Sequence, residues 1–359
     1  MTTLPATINI VVMRDVAQAE LDRIVSVAPD RIKITALWRG YREELQKHFA
    51  EPRIAMFERI PNPVPAITRG QVDEAIGEAH VMYGGAVHPP AMYDEMPNLR
   101  WVHFTFAGLS SIRRSHFWGA PIDVTYSRGH SGALPIAEIA LTGGMMLAKD
   151  FPASVRHTDA GSFDPSAYAA LLISGKTMGI IGLGGIGMNL ARLASGVGMR
   201  VIGSRHSVTT RQPGEDPVSE LFPPADLHAM LGESDFVAIC APLSPDTEGL
   251  LDAAAFEAMK PGAIFMNTSR GEIVDEPSLI AALKDGRLRG AYLDVYAGDE
   301  EGRERPVELT SLPNVVMTPH TSPRTDVSHM FALDLFCGNL ERFLKGEPLV
   351  NVVDWDRGY

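Results

Sequence analysis

Thr177-Met-Gly-Ile-Ile-Gly-Leu-Gly-Gly-Ile-Gly187 is the stretch on which the reading of the fold turns. An apolar run with strand character leads straight into Gly182, Gly184 and Gly187, in G-x-G-x-x-G spacing, and a helical pattern over 186–196 follows. In a strand–turn–helix context each glycine has a separate reason. The first permits the tight turn, the second lets a pyrophosphate approach the backbone, and the third allows the helix to pack on the strand. The spacing alone is common; the flanking strand and helix turn it into a dinucleotide-loop signature.

Outward from this loop the chain alternates between strand and helix. Strands are expected over 177–181, 200–203, 236–240, 263–267, 290–294 and 315–317, with helices over 135–148, 186–196, 226–231, 253–259 and 277–285. Upstream, strands are expected over 8–13, 31–37, 80–83 and 100–104, with helices over 18–28, 42–49 and 71–79 and a proline-rich turn over 61–65. Alternation of this kind predicts an α/β protein of doubly wound parallel sheets. The whole is read as two Rossmann-like domains, and the family resemblance given below implies that the active-site cleft lies between them. Residues 1–129 plus 322–359 are assigned to a substrate-binding (catalytic) domain and 130–321 to a dinucleotide-binding Rossmann domain. The amphipathic pattern over 326–345 needs a partner surface, so it is expected to cross back onto the first domain.

At 359 residues the chain is long enough for two cores. Acidic residues outnumber basic ones, 44 to 32, for a formal net charge of -12, which gives no electrostatic basis for binding nucleic acid or an anionic membrane surface. The two cysteines, Cys240 and Cys337, form no disulfide framework and no four-ligand zinc site, so no metal is expected and a reducing compartment is the default. The first residues read as a strand, since no basic segment precedes the short apolar run, and no stretch has the length of a membrane helix. A cytoplasmic protein is expected.

The end of the strand after the glycine loop bears on the choice of dinucleotide. An NAD site wants a carboxylate about 20 residues on, to accept from the ribose hydroxyls. Here the strand ends Val201-Ile-Gly-Ser204-Arg205-His206-Ser207, with no acid before Glu215. Arginine flanked by Ser204 and Ser207 suits a 2′-phosphate instead. NADP(H) is therefore expected over NAD(H), with NAD(H) as the alternative in which Arg205 is an ordinary surface residue.

From about residue 80 to 350 the sequence resembles the D-isomer-specific 2-hydroxyacid dehydrogenase family. The resemblance rests on the glycine loop and on Ala241-Pro-Leu-Ser-Pro-Asp-Thr-Glu-Gly-Leu-Leu251, Phe265-Met-Asn-Thr-Ser-Arg-Gly-Glu-Ile-Val-Asp275, Gly290-Ala-Tyr-Leu-Asp-Val-Tyr296 and Val315-Val-Met-Thr-Pro-His320. The Ser204–Arg205 strand end and the tail from Asp354 to Tyr359 look most like the NADP-preferring glyoxylate and hydroxypyruvate reductase branch.

The resemblance implies reduction of a 2-oxo acid to a D-2-hydroxy acid. Such chemistry needs a cation for the carboxylate and a proton donor for the developing alkoxide. Arg270 and His320 each follow a strand and match the family in those roles. A glutamate stands five positions after the strand-end aspartate in the family; five after Asp294 is Asp299, one methylene shorter, with Glu300 as the alternative. A carboxylate there would orient the imidazole. The resemblance places Gly182, Gly184, Gly185, Ile186, Gly187, Ala241, Pro242, Thr247, Thr268, Ser269 and Asp294 around the cofactor, Asp294 toward the carboxamide. Gly185 stands where the family usually has arginine. In the first domain Gly84 and Gly85 resemble the backbone loop that binds the substrate carboxylate, and Ala107-Gly108-Leu109 a second wall. Trp38 and Tyr41 are candidate aromatic lids.

The expected activity is NAD(P)H-dependent reduction of small 2-oxo acids of the glyoxylate or hydroxypyruvate kind, by a homodimer built through the nucleotide domain. The alternatives are a dehydrogenase for a bulkier 2-hydroxy acid and a non-catalytic dinucleotide sensor of the same fold.

Overall fold

The apolar alternation of the first strand and the continuous apolar runs of the later ones decide how each sheet is covered. The structure, a computed structural model, describes residues 4–55, 57–58, 63–106, 108–129, 132–162, 164–299, 303–326 and 328–355. The chain divides into two units, residues 1–131 with 326–359, and residues 132–325.

In the first unit, β1 (Ile8–Met13), β2 (Ile32–Ala36), β3 (Val81–Gly84), β4 (Trp101–Phe104) and β5 (Asp123–Tyr126) form a parallel sheet in the order β2-β1-β3-β4-β5. Ile8, Ile10 and Val12 face one core, while Val11 and Met13 face another on the opposite side, as the two-residue period of a strand requires. The helix Ser328–Lys345 covers the first of these cores. Its Phe336 ring lies 4.4 Å from that of Tyr83 and 5.0 Å from that of Trp101.

The second unit holds an eight-stranded sheet. Its strands are β6 (Thr177–Ile181), β7 (Arg200–Ser204), β8 (Gln212–Pro213), β9 (Glu220–Phe222), β10 (Phe236–Ile239), β11 (Ala263–Asn267), β12 (Leu288–Leu293) and β13 (Val315–Met317), in the order β13-β12-β11-β10-β6-β7-β9-β8. All neighbours are parallel except β8 and β9. β6 and β11 are buried at every position, which is why both read as unbroken apolar runs. Because the strands run one way, the segments after β6, β7, β10, β11, β12 and β13 gather at one edge. The order reverses between β10 and β6, and in open α/β sheets ligands bind at that switch point.

The sequence did not anticipate β5, the β8–β9 pair, the short helices Glu51–Ala55, Ser110–Arg113 and Val307–Thr310, or the helix Phe151–Asp159. β5 is only four residues of the sheet's edge, and the helix Phe151–Asp159 has no buried residue to mark a face.

Candidate active site

The glycine loop has the geometry its spacing implies. Gly182 has a φ of +95°, and a Cβ there would lie 2.6 Å from the Ala241 amide nitrogen, so the turn packs directly against the end of β10. A Cβ at Gly187 would overlap the Gly182 carbonyl oxygen, whereas one at Gly184 would meet nothing within 4 Å. The first and third glycines are thus closed by protein, and the second faces open space. Gly184 is also the N-cap of the helix Gly185–Gly196, whose first turn includes Ile186. Amides at a helix start beside open backbone suit a pyrophosphate, so these residues fit a dinucleotide.

Beyond β7, the buried Ser204 accepts the Gly182 amide on its carbonyl at 3.0 Å, while Arg205 and Ser207 are exposed. Arg205 donates from Nη2 to the Leu183 carbonyl at 3.2 Å, which leans its guanidinium over the glycine loop. Among the described residues no carboxylate pairs with it. Arg200, which opens β7, and Arg211 differ: both bind Glu220 and Glu233.

After β10, Cys240 is partly buried, and desolvation pushes its thiol up to about 12, which disfavours the thiolate at neutral pH. The Thr247 hydroxyl donates to the Pro242 carbonyl at 2.7 Å and accepts the Ser244 amide at 2.8 Å, closing its own turn. The Ser269 hydroxyl donates to the Ala241 carbonyl, and Thr268 beside it is buried.

Arg270 stands just past β11, half-buried, with Nη1 donating to the Ser269 carbonyl at 2.8 Å. Its backbone is braced by Asn267, which the sequence reading passed over. The Asn267 side chain accepts the Ser269 amide at 3.0 Å and donates to the Arg270 carbonyl at 2.9 Å, and the residue is 1% exposed.

Asp294, directly after β12, is also 1% exposed. Its Oδ1 accepts the Thr318 hydroxyl at 2.5 Å and the Thr321 amide at 2.9 Å, and its Oδ2 the Ser322 amide at 3.1 Å. The carboxylate therefore holds the segment after β13. That segment carries His320, whose φ of 51° is left-handed, and whose amide donates to the Asp294 carbonyl at 2.9 Å. Non-glycine residues in this region cost roughly 1–3 kcal/mol and persist where surrounding bonds over-determine them. Behind the segment, the Tyr292 hydroxyl meets Thr318 Oγ1 at 2.7 Å, with its pKa pushed up to about 12 by burial.

The His320 Nδ1 lies 2.9 Å from Asp299 Oδ2, the imidazole about one-third exposed (35%) and the carboxylate nearly covered (7%). An Nδ1–H donating to this carboxylate leaves Nε2 as the nitrogen for proton exchange. Oδ1 of Asp299 is buried with no hydrogen-bond partner among the described residues. Glu300, the alternative partner, lies outside the described residues.

In the first unit, Gly84 and Gly85 end β3 at the point where that sheet's strand order reverses. The Gly85 amide donates to the Met13 carbonyl at 3.0 Å, so it is engaged within the sheet, unlike the ligand-facing amide expected from the sequence. His88 supports this turn from inside, its Nδ1 3.3 Å from the Gly85 carbonyl, and burial pushes its pKa down to about 4. Trp38 and Tyr41 are core residues, 2% and 1% exposed, with their polar ends on Glu58 and Glu95; they are not lids. Of the second-wall stretch, Gly108 and Leu109 are described, Leu109 being buried, and Ala107 lies outside the described residues. Among the described residues no group of His, Cys, Asp and Glu forms a metal site, and no helix is long and apolar enough to cross a membrane.

A doubly wound sheet with an open glycine loop at its switch point, an arginine beyond β11 and a carboxylate-paired histidine beyond β13 define an α/β protein of the dinucleotide-binding class. The family description "D-isomer specific 2-hydroxyacid dehydrogenase, NAD binding domain" matches residues 141–322. The chain is 30% identical over 296 residues to a hydroxypyruvate reductase of Blautia hydrogenotrophica, a match covering 79% of this chain and 88% of that protein. It is 38% identical over 192 residues to a glyoxylate reductase of Thermococcus litoralis, a match covering 54% of this chain and only 56% of that protein. A crystal structure of a D-isomer specific 2-hydroxyacid dehydrogenase from Xanthobacter autotrophicus Py2, in complex with NADPH and MES, shares the fold. Its TM-score is 0.73 at 24% identity, over 99% of this chain and all of that one (100%). The chain belongs to the D-isomer specific 2-hydroxyacid dehydrogenase family.

Proposed function

We propose that this chain reduces small 2-oxo acids of the glyoxylate or hydroxypyruvate kind to D-2-hydroxy acids with NADPH. The observation that carries the reading is the His320–Asp299 pair, 2.9 Å apart and held beyond β13 in a left-handed backbone. It supplies an oriented proton donor on a strand end adjoining Asp294. When bound, the dihydronicotinamide supplies the hydride.

His320 protonates the carbonyl oxygen of the 2-oxo acid from Nε2 and acts as base in the reverse direction. Asp299 fixes the ring and stabilises its charged form. Arg270 binds the substrate carboxylate through its planar fork and polarises the adjacent carbonyl. On the family resemblance the turn after β3 adds backbone contacts; with the Gly85 amide on Met13, Arg270 carries most of the carboxylate's charge. Arg205, beside the loop and with no carboxylate partner among the described residues, favours the 2′-phosphate of NADPH. The nucleotide unit also leaves Phe151, Val155 and Leu172 exposed, at 55%, 55% and 72%, which supports a homodimer built through it.

The test is initial-rate consumption of NADPH and NADH with glyoxylate and with hydroxypyruvate, on the native chain and on His320→Ala. Turnover with NADPH that falls about 10²–10⁴-fold in the variant, with NADPH affinity retained, is the expected result. Unchanged turnover in His320→Ala refutes the mechanism. Turnover only with a larger 2-oxo acid keeps the class and overturns the substrate size. No turnover with any 2-oxo acid, despite dinucleotide binding, favours the sensor.

A further inference from the structure

The loop that carries Asp299 is not held by Asp299. Its corner at Tyr296 and Ala297 packs backbone to backbone on Gly271, the residue after Arg270, where a Cβ would overlap the Tyr296 carbonyl carbon and the Ala297 nitrogen. Two carboxylates then reach across. Glu272 Oε1 accepts the Gly298 amide at 2.9 Å, and Glu276 Oε1 accepts the Ala297 amide at 2.8 Å. The other oxygen of Glu276 pairs with Arg303 Nη1 at 2.9 Å, and the same nitrogen donates to the Ala297 carbonyl at 2.8 Å. The Arg303 amide donates to the Gly298 carbonyl at 3.0 Å, and the Tyr296 hydroxyl to the Arg303 carbonyl at 2.8 Å. One side chain, Glu276, thus ties the start of the loop to its far end.

Glu276 is itself fixed. It is the first residue of the helix Glu276–Lys284, whose N-cap Asp275 accepts the Ser278 amide at 3.1 Å, and its side chain is only 12% exposed. Within this clamp Asp299 presents one oxygen to His320 and buries the other with no hydrogen-bond partner among the described residues. A buried, unpartnered carboxylate oxygen loses solvation with nothing local in return, so the Asp299 geometry has to be imposed from outside. Among the described residues His320 contacts Asp299 and Tyr296 interacts with it electrostatically, while Glu272, Glu276 and Arg303 bond to the loop that carries it.

We infer that Glu276, through Arg303 and the Ala297 amide, is a positioning residue that sets the Asp299 carboxylate against His320. It touches neither substrate nor cofactor, and the inference rests on the reductase reading above.

The test combines kinetics with a spectroscopic readout on the full chain. Glu276→Ala is expected to lower kcat about 10-fold, within the 10–100-fold span typical of residues that orient a functional imidazole from behind. The KM for NADPH stays within about twofold, since the clamp is remote from the glycine loop. Glu276→Gln keeps an acceptor for the Ala297 amide and recovers most of the loss. Glu276→Ala combined with Asp299→Asn falls little below Asp299→Asn alone, because residues acting through one contact are not additive. The downfield proton resonance of the His320 Nδ1–H, identified by its loss in His320→Ala, weakens in Glu276→Ala and returns in Glu276→Gln. Additive losses in the double variant, or an unaltered resonance in Glu276→Ala, overturn the inference. Should the chain reduce no 2-oxo acid, the function fails while the resonance still decides the role of Glu276. Arg303→Met guards against a folding artefact: it breaks the same tie from the exposed side and is expected to match Glu276→Ala in kcat.

Discussion

Arg205→Ala separates two jobs that the structure gives one side chain. Its Nη2 donates to the Leu183 carbonyl inside the glycine loop at 3.2 Å, and its charge has no acidic partner among the described residues. Losing the first contact loosens the loop for either dinucleotide, at a cost of about 1 kcal/mol, the net value of an ordinary hydrogen bond. Losing the charge matters only when a 2′-phosphate is present. Two unit charges 4 Å apart interact by about 1 kcal/mol in bulk water. The guanidinium is exposed, so water screening applies, and a doubly charged phosphate gives about 2 kcal/mol. That equals roughly a 30-fold change in affinity. The KM for NADPH should therefore rise about 30-fold beyond whatever rise NADH shows, and the NADH change should stay within about fivefold. The ratio of the two KM values isolates the phosphate contribution. It should narrow for the native chain as salt is raised, since the Debye length falls from about 10 Å at 0.1 M to about 3 Å at 1 M. Equal changes for both cofactors would refute the assignment and reduce Arg205 to a brace for the loop.

Other outcomes follow from burial. The folded-state pKa of His88, about 4, lies below the usual 6.5, so the unfolded chain binds the proton more readily. Its stabilising contribution is present above about pH 6.5 and is lost as the pH falls toward 4. The unfolding free energy from denaturant titrations should thus drop by about 2 kcal/mol between pH 7 and pH 5 on account of this group, and His88→Gln should flatten that part of the pH slope. An unchanged slope would show that His88 protonates in the fold. The exposed Phe151 and Val155 should lie in the subunit interface, so Phe151→Glu with Val155→Glu should convert a dimer to monomers in sedimentation equilibrium. A native chain that sediments as a monomer at micromolar concentration would refute the interface.

What the sequence made legible was set by period and by residue type. β6 and the glycines after it could be read because a fully buried parallel strand is apolar at every step and the turn admits few alternatives. Arg270, Asp299 and His320 could be named because each follows a strand end in a resembling motif. The helix Phe151–Asp159 escaped for lack of a buried face, and the two-residue β8 is too short to carry a period. Trp38 and Tyr41 show the limit of residue type: an aromatic side chain near a helix start has the same letter in a lid and in a core, and here the core holds both. Asn267 and Glu276 left no sequence signal, because Asn267 binds only backbone groups and Glu276 joins a backbone amide to an arginine 27 positions further on.

Four carboxylates near the strand ends show how partners, not residue types, assign roles. Asp294 spends both oxygens on backbone amides and a hydroxyl, and what it stabilises is the left-handed turn that carries His320. Glu272 and Glu276 do the same for the corner before Asp299. Of the four, Asp299 addresses an imidazole, and its other oxygen is buried with no hydrogen-bond partner among the described residues. A carboxylate that holds backbone contributes through geometry, and an amide that keeps its acceptor preserves much of that. A carboxylate that faces an imidazole contributes through charge, which an amide removes at once. Amidation should therefore be mild at Glu272 and Glu276 and severe at Asp299.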